Sequence, residues 1–362
     1  MIYGWANDLR EVSGEGLLGL TFMKEISLIY KDIFLIKTNQ NIFYFKEGKK
    51  IKEIKSEEIF KYGSFFEKYL SNLIGIFYLL RRNKDKEKII YVNYLPLWNW
   101  LIFLLLPKQT ILGPITGGSL IQELSSFKVV IRKIIFPIFF KISSNIIKKK
   151  FQNIIFSTSL LKKYFNSKNN YFDFVIFYLK YIELKRVKKD IDLIYYNRDH
   201  PNKNNYNIKK LVVELARKKK VHIFGNNLDS KNIVNHGYIS KNKKSLLLSR
   251  SKYAIISSEN FLSLFTLECF KNNIKIISNV QKPKVFYNNR NFIKINLVSY
   301  EKTKKNIIYM MSKKYKFINS KTDKILRYKV NQWNLFKLHF IKRINENNYK
   351  RDIKCRNMVC QS

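Results

Sequence analysis

Between Tyr253 and Ser278 the chain runs YAIISSENFLSLFTLECFKNNIKIIS. Tyr253-Ala254-Ile255-Ile256-Ser257 is a short apolar run rich in β-branched and aromatic residues, which predicts a buried strand. Ser258-Glu259-Asn260 supplies side chains suited to a helix cap, and Phe261, Leu264 and Phe265 set a helical rhythm that runs to Asn272-Asn273. Ile274-Lys275-Ile276-Ile277 resumes as a strand, so the stretch reads as a βαβ unit. It carries two carboxylates, Glu259 at the helix start and Glu268 about two turns further on. A helix that begins at the carboxyl end of a parallel strand presents free N–H groups and a positive dipole to an anion such as a diphosphate. A carboxylate further along the helix can accept hydrogen bonds from sugar hydroxyls. The competing reading is an ordinary βαβ helix with two incidental glutamates.

At 362 residues the chain is long enough for about two domains. Its hydrophobic content of 46%, with 15% aromatics, is ample for packed cores and excludes a disordered polyelectrolyte. The formal charge of +43 points to a polyanion, either nucleic acid or an anionic bilayer. The lysines are spread along the whole length beside abundant Asn, Ile, Phe and Tyr, a pattern that coding bias alone produces. Cys269, Cys355 and Cys360 have neither metal-site spacing nor the even count of a disulfide framework. The start, MIYGWANDLREVSGEG, lacks a basic-then-apolar leader, and the longest apolar candidate, Ile89 to Pro107, is interrupted by Asn93, Pro96 and Asn99. A cytoplasmic protein, peripheral at the inner face of a membrane, is the expectation.

In chain order, Met1 to Ala6 predicts a strand, Gly14-x-Gly16 a glycine loop, and Leu17 to Met23 the opening of a helix. Glycines there let the backbone approach a phosphate closely. Ile33 to Ile36 reads as a strand, and Lys46 to Lys61 as a loop with an exposed helix. Lys88 to Tyr94 is a strand, followed by a helix from Pro96 to Leu106 and a further strand, Thr110 to Leu112. That strand runs into Gly113-Pro114-Ile115-Thr116-Gly117-Gly118-Ser119, a second glycine cluster at a strand end. Phe127 to Lys150 alternates lysines with aromatics and isoleucines around Pro137. It suits a bilayer interface or, alternatively, a core helix with snorkelling lysines. Ile154 to Ser159 then predicts a strand, and Leu160 to Phe165 a helix.

After the charged run Lys185 to Lys189, read as a linker, a second strand-first pattern begins. Asp190-x-Asp192 precedes the strand Leu193 to Tyr196, the wrong side for a metal-ligand pair, and is discounted. Arg198 and Lys203 follow that strand and precede the helix Ile208 to Lys219; such cations at a strand exit bracket a diphosphate. Next come Val221 to Asn226, His236-Gly237-Tyr238 and the Ser240-capped helix to Arg250, with His222 and His236 read as structural. Ile325 to Ile344, with Trp333, reads as a helix that crosses back over the N-terminal half.

The sequence of elements from Asp190 to Asn279 resembles the C-terminal domain of the large retaining family of GT-B glycosyltransferases (group 1), whose strand–Ser–x–x–Glu–helix–Glu segment grips a nucleotide-sugar. The resemblance implies an α/β chain of GT-B architecture, two Rossmann-like domains facing each other across a cleft. The implied partition is 1–184 for an acceptor-side domain, 190–320 for a donor domain, and 321–362 for terminal helices. It implies that Arg198, Lys203, Glu259, Asn260 and Glu268, with Gly14 and Gly16, hold the donor, and that Gly117 and Gly118 sit on a cleft loop. Eight residues separate Glu259 from Glu268, one more than usual in the family; alignment on Leu267-Glu268 puts Asn260 at the first acidic position. Relatives place a histidine near the second glycine loop. The histidines here are His200, His222, His236 and His339, so the catalytic residue is unassigned. The implied function is sugar transfer from a nucleotide-sugar to a cell-surface glycan or lipid-linked acceptor, of hexosyl type with retention, and with no metal or other cofactor. An inert GT-B-like binding protein and a basic nucleic-acid-binding protein are the alternatives; the latter lacks any recognition helix or aromatic RNA platform.

Overall fold

The computed structural model describes residues 1–11, 13–61, 64–84, 87–92, 100–116, 136–151, 154–162, 164–165, 170–185, 187–198, 206–256, 261–280, 291–296, 299–313 and 326–338. By its contacts the chain divides into two compact units. One holds the described residues within Met1–Gly118, Val130–Phe174 and Tyr328–Ser362, the other those within Val175–Arg327.

The first unit is built on β1 (Ile2–Ala6), β2 (Phe34–Lys37), β3 (Asn41–Lys46), β4 (Lys49–Lys55), β5 (Lys88–Val92) and β6 (Ile111–Gly113), with α1 (Gly14–Ser27), α2 (Phe65–Lys84), α3 (Trp100–Leu105) and α4 (Phe136–Lys150). The sheet order is β4-β3-β2-β1-β5-β6, parallel from β2 to β6. Alternation along each strand turns Trp5, Ile89, Tyr91 and Leu112 to one face, where they meet Ile76 and Leu79 of α2, Ile102 and Phe103 of α3 and Ile147 of α4. A Cβ on Gly75 would lie 2.3 Å from the Trp5 ring, so α2 approaches β1 this closely only through that glycine.

The charged stretch after Lys46 is not a helix. It forms an antiparallel hairpin in which Phe43 and Phe45 are buried while β4 is almost wholly exposed. Glu47 and Gly48 both have positive φ, 49° and 78°, the geometry of a two-residue turn that matches strand twist. The lysines of β4 then serve as charges on an edge strand, which discourage pairing with other chains.

Residues 326–338 form a helix that, from Tyr328 onward, belongs to this same unit and closes it. Trp333 is 1% exposed, with its ring 4.9 Å from that of Tyr171 and 5.4 Å from that of Phe174. Lys329 Nζ donates to Asp173 Oδ2 at 2.9 Å, and the Tyr171 hydroxyl donates to the Lys329 carbonyl at 3.0 Å. Both partners of that ion pair are buried, so its attraction acts in a medium of low dielectric.

The second unit contains β7 (Ile191–Asn197), β8 (Val221–Gly225), β9 (Ile233–Asn235), β10 (Ser251–Ile255), β11 (Lys275–Ser278) and β12 (Phe292–Lys294). Its helices are α5 (Tyr206–Ala216), α6 (Lys241–Arg250), α7 (Leu264–Lys271) and α8 (Tyr300–Ser312). All six strands are parallel, in the order β12-β11-β10-β7-β8-β9. Such a sheet is covered on both faces, which explains why IDLIYYN and VHIFG read as nearly continuous apolar runs. On one face Leu193, Tyr195, Ile223 and Ile255 pack against Ile208, Leu211 and Leu215 of α5 and Ile307 of α8. The chain passes between units at Phe174–Val175, and Lys185–Lys189 lies inside the second unit. Lys189 is an integral part of it: its ammonium donates to the carbonyls of Ser251 (2.6 Å), Asn272 (2.9 Å) and Ser249 (3.4 Å).

In the second unit His222 Nδ1 of β8 lies 2.9 Å from His236 Nε2, and His222 Nε2 is buried without a partner among the described residues. Burial, together with His236, Lys220 and Arg250, pushes His222 down to about 4, so the imidazole is neutral in the fold.

Two stability tests follow from these contacts. Lys329→Met strands the Asp173 carboxylate and is expected to cost about 3–5 kcal/mol in denaturant unfolding. The double variant Lys329→Met/Asp173→Asn, which keeps a residue tolerant of the positive φ at 173, is expected to recover much of that loss. For His222, the folded value lies below the unfolded one of about 6.5, so the unfolded chain gains a proton first as pH falls. Stability is expected to drop between about pH 6.5 and pH 4, by up to about 3 kcal/mol, and the slope should flatten in His222→Gln. An unchanged slope in that variant assigns the pH dependence to other groups.

Candidate functional site

In the second sheet the chain moves outward from β7 through β8 to β9, then returns to the other side of β7 and continues through β10 to β12. The strand order therefore reverses between β7 and β10. The carboxyl ends of strands at such a reversal are the place where open parallel sheets bind ligands. Arg198 follows β7 directly and is exposed, its guanidinium 5.3 Å from the centre of the Tyr196 ring. The segment after β10 leads into α7, which starts at Leu264 and not at Phe261. Ser263 caps it, its hydroxyl oxygen accepting from the Thr266 N–H at 3.1 Å, while Phe261 and Leu262 are buried ahead of the cap. Lys203, Glu259 and Asn260 lie outside the described residues, as do Gly117 and Gly118.

Glu268 is on α7 and only 5% exposed. A buried carboxylate needs partners, and it has two: Lys244 Nζ of α6 donates to Oε1 at 2.7 Å and the Tyr178 hydroxyl donates to the same oxygen at 2.9 Å. Both bonds fall on Oε1; Oε2 accepts none among the described residues. Tyr178 comes from the 3-10 segment Phe174–Tyr181, which carried no motif in the sequence. Lys244 was one of many lysines, and nothing in its spacing singled it out.

The carboxyl ends of β7 and β8 are locked together. Asn197 Nδ2 donates to the Asn226 carbonyl at 2.8 Å, and the Asn226 N–H donates to the Asn197 carbonyl at 2.9 Å. Gly225 has φ +93°, and a Cβ there would lie 2.1 Å from the Asn197 carbonyl oxygen, so the lock requires glycine. Asn197 Oδ1 is buried without a partner among the described residues. Beside it Tyr196 stacks on Phe224 with ring centres 4.5 Å apart, and Phe265 of α7 meets both edge-on. This aromatic trio at the strand ends, next to a guanidinium, was not singled out by spacing, because its members come from three separate elements.

In the first unit, the loop after β1 folds back over α1. Asp8 Oδ1 accepts from the Arg10 N–H (2.9 Å) and Arg10 Nε (2.8 Å), while Asp8 Oδ2 accepts from the Ser13 hydroxyl (2.5 Å). Burial raises the Asp8 value, but the hydrogen bonds from Arg10 and Ser13 outweigh it and hold the carboxyl below its usual range. Ser13 in turn caps α1, accepting from the Gly16 N–H at 2.8 Å. A Cβ on Gly16 would lie 2.1 Å from the Arg10 carbonyl oxygen. The close approach that Gly16 permits is therefore to the chain's own loop; Gly14 opens the helix and is exposed. Asp190 and Asp192 are each ion-paired, to Arg250 and to Lys252 (2.8 Å) respectively.

No known protein-family profile matches the sequence. No curated protein matches it either. Solved structures do match in fold across nearly the whole chain. The apo lipopolysaccharide outer core galactosyltransferase WaaB superposes with a TM-score of 0.54 at 12% identity, covering 94% of this chain and 99% of its own. A sucrose-phosphate synthase from Thermosynechococcus elongatus does so with a TM-score of 0.56 at 11% identity, covering 97% and 100%. HepE of Anabaena, solved in complex with UDP, gives 0.54 at 8% identity, covering 95% and 99%. With two Rossmann-like sheets in one chain, the second ordered as in dinucleotide-binding domains, this protein has the GT-B fold.

Proposed function

We propose that the protein is a glycosyltransferase that moves a sugar from a nucleotide-sugar to a hydroxyl of a glycan or lipid-linked acceptor. The single observation that carries this reading is the placement of Arg198 and the Glu268 helix at the strand-order reversal of the second sheet. The fold likeness to a galactosyltransferase and to a protein solved with UDP supports it. In this reading Arg198 and Lys203 take the donor diphosphate. As the bond from the sugar's anomeric carbon to the diphosphate oxygen breaks, negative charge grows on the leaving group, and fixed cations there lower the barrier without a metal ion. Glu268 presents Oε2 to the two ribose hydroxyls, while Lys244 and Tyr178 hold the carboxylate by Oε1. Glu259 and Asn260 precede the same helix and are assigned to the sugar. We further assign hexosyl transfer with retention, a role in polysaccharide or lipopolysaccharide synthesis, and a cytoplasmic location at the inner membrane face. A nucleic acid is not assigned as a partner.

A second reading is favoured by one observation: Glu268 is already hydrogen-bonded within its own unit. It is then a pin joining α6 to α7, and the chain is an inert relative of the fold. Calorimetric titration with nucleoside diphosphates, their sugars and free pyrophosphate separates the two. Glu268→Gln is expected to weaken nucleotide-sugar binding and leave pyrophosphate binding nearly unchanged, since pyrophosphate has no ribose. If the melting temperature falls and neither ligand's affinity moves, Glu268 is a pin only. Arg198→Ala and Lys203→Ala are each expected to cost about 1.5–3 kcal/mol in diphosphate binding, the scale of a charge-assisted hydrogen bond. Unchanged affinity in the double variant places the anion site elsewhere.

A further inference from the structure

α4 carries polar and apolar residues on both of its sides: Ile147 reaches the core, yet elsewhere the usual polarity is reversed. Its sequence FPIFFKISSNIIKKK turns Ser143 and Ser144 into the protein, 0% and 4% exposed, and both hydroxyl oxygens are buried without a partner among the described residues. On the outer side stand Ile138, 55% exposed, and Ile142, with Lys141 between them. A helix on a water-facing surface has the reverse polarity, because burying unpaired hydroxyls and wetting isoleucines both cost free energy. α3, which packs against α4, has the same character. Its residues WLIFLL bury Ile102 and Phe103 yet expose Leu101, Leu104 and Leu105, so it is apolar all round. The spacing i, i+3, i+4 places those three leucines on one side of the helix.

The charges around this apolar surface have one sign. Lys108 lies just beyond α3, and Lys141, Lys148 and Lys149 lie along α4, all exposed. The described residues of 100–116 and 136–151 contain no aspartate or glutamate. Lys150 donates to the carbonyls of Phe103 (3.1 Å) and Leu104, which ties the end of α4 to the end of α3 and holds the two leucine- and isoleucine-bearing helices side by side. A nucleic acid would meet the cations but gain nothing from five exposed aliphatic side chains. A neutral protein groove would bury the aliphatics and leave the cations without partners. A bilayer carrying anionic headgroups satisfies both, since acyl chains accept the aliphatics and headgroups the ammoniums. Among the described residues no helix is long and apolar enough to cross a membrane, so the surface suits attachment and not spanning.

From this we infer that the α3–α4 face of the first unit docks on an anionic lipid bilayer. The docking stands by itself; its consequence, that the acceptor hydroxyl is carried by a lipid or by a glycan held at the membrane, rests on the transfer reaction proposed above.

Vesicle flotation of the full-length protein tests it, with phosphatidylcholine vesicles alone or containing phosphatidylglycerol. Wild type is expected to float with the anionic vesicles and not the neutral ones, and to be released by salt. Leu104→Asp/Ile138→Asp is expected to lower partitioning at least tenfold with an unchanged melting temperature, because both side chains are exposed. Lys141→Gln/Lys149→Gln is expected to lower it several-fold, and Tyr309→Asp, exposed on the second unit, should leave it unchanged. No flotation by wild type, or equal flotation of wild type and the aspartate variant, overturns the proposal. So does a concentration-dependent dimer that the aspartate variant abolishes, which would assign the face to a second copy. Nucleoside-diphosphate affinity, measured on the same variants without lipid, is expected to match wild type. Loss of flotation with donor binding retained bears on the docking face, whereas wild-type flotation without donor binding counts against the transferase reading and leaves the docking intact.

Discussion

The second unit depends on a single ammonium group. Where α6 and α7 end, carbonyls at Ser249, Ser251 and Asn272 have no helical N–H left to accept from, and Lys189 Nζ supplies donors to all three. Helix C-termini carry partial negative charge, so a cation is the fitting partner and a neutral donor would be a weaker one. Lys189 also immediately precedes the strand pair of Asp190 and β7, the centre of the sheet. One residue thus ties the entry of the central strand to the exits of two helices on the covering face. Because α7 carries Glu268 and α6 carries Lys244, the same attachment sets the spacing across which those two side chains meet.

Much of this architecture was legible in the residues. β-branched and aromatic runs such as Tyr253 to Ile256 and Lys88 to Val92 announced strands, and the alternation with helical periods announced parallel sheets. The hairpin at Asn41–Lys55 was not legible by charge, because an edge strand tolerates lysines that a buried one would exclude. The signal lay in the alternation of Phe43 and Phe45 with half-buried neighbours and in the dipeptide Glu47-Gly48. α7 begins three residues later than periodicity placed it, since Phe261 and Leu262 are buried ahead of the Ser263 cap. Lys185 to Lys189 looked like a linker because the sequence displays charge and hides the carbonyls that charge will meet.

The candidate site shows the same division. Its location followed from a strand exit and a helix start, features encoded locally. Its internal wiring did not, because Glu268 is held by a tyrosine 90 positions away and by a lysine 24 positions away. Gly16 illustrates how a motif can be present for a reason other than a ligand: the space it leaves is filled by the Arg10 backbone, while Asp8, Arg10 and Ser13 satisfy one another. Asn197 joins two strand ends through its amide, a role visible only once β7 and β8 are neighbours.

The helix of residues 326–338 has a consequence for how the chain is made. Trp333 and Phe336 complete the hydrophobic interior around Tyr171 and Phe174, yet they are synthesised after the whole of the second unit. A ribosome delivers the chain from its N-terminus, and domains usually fold in that order. Here the first unit to emerge is the last to be closed. Throughout translation of the second unit its aromatic seam lies open, with the Asp173 carboxylate still waiting for Lys329. Completion of the first unit is thereby made conditional on synthesis through Phe336, so a chain interrupted before Lys329 leaves an exposed apolar groove for chaperones and proteases to recognise.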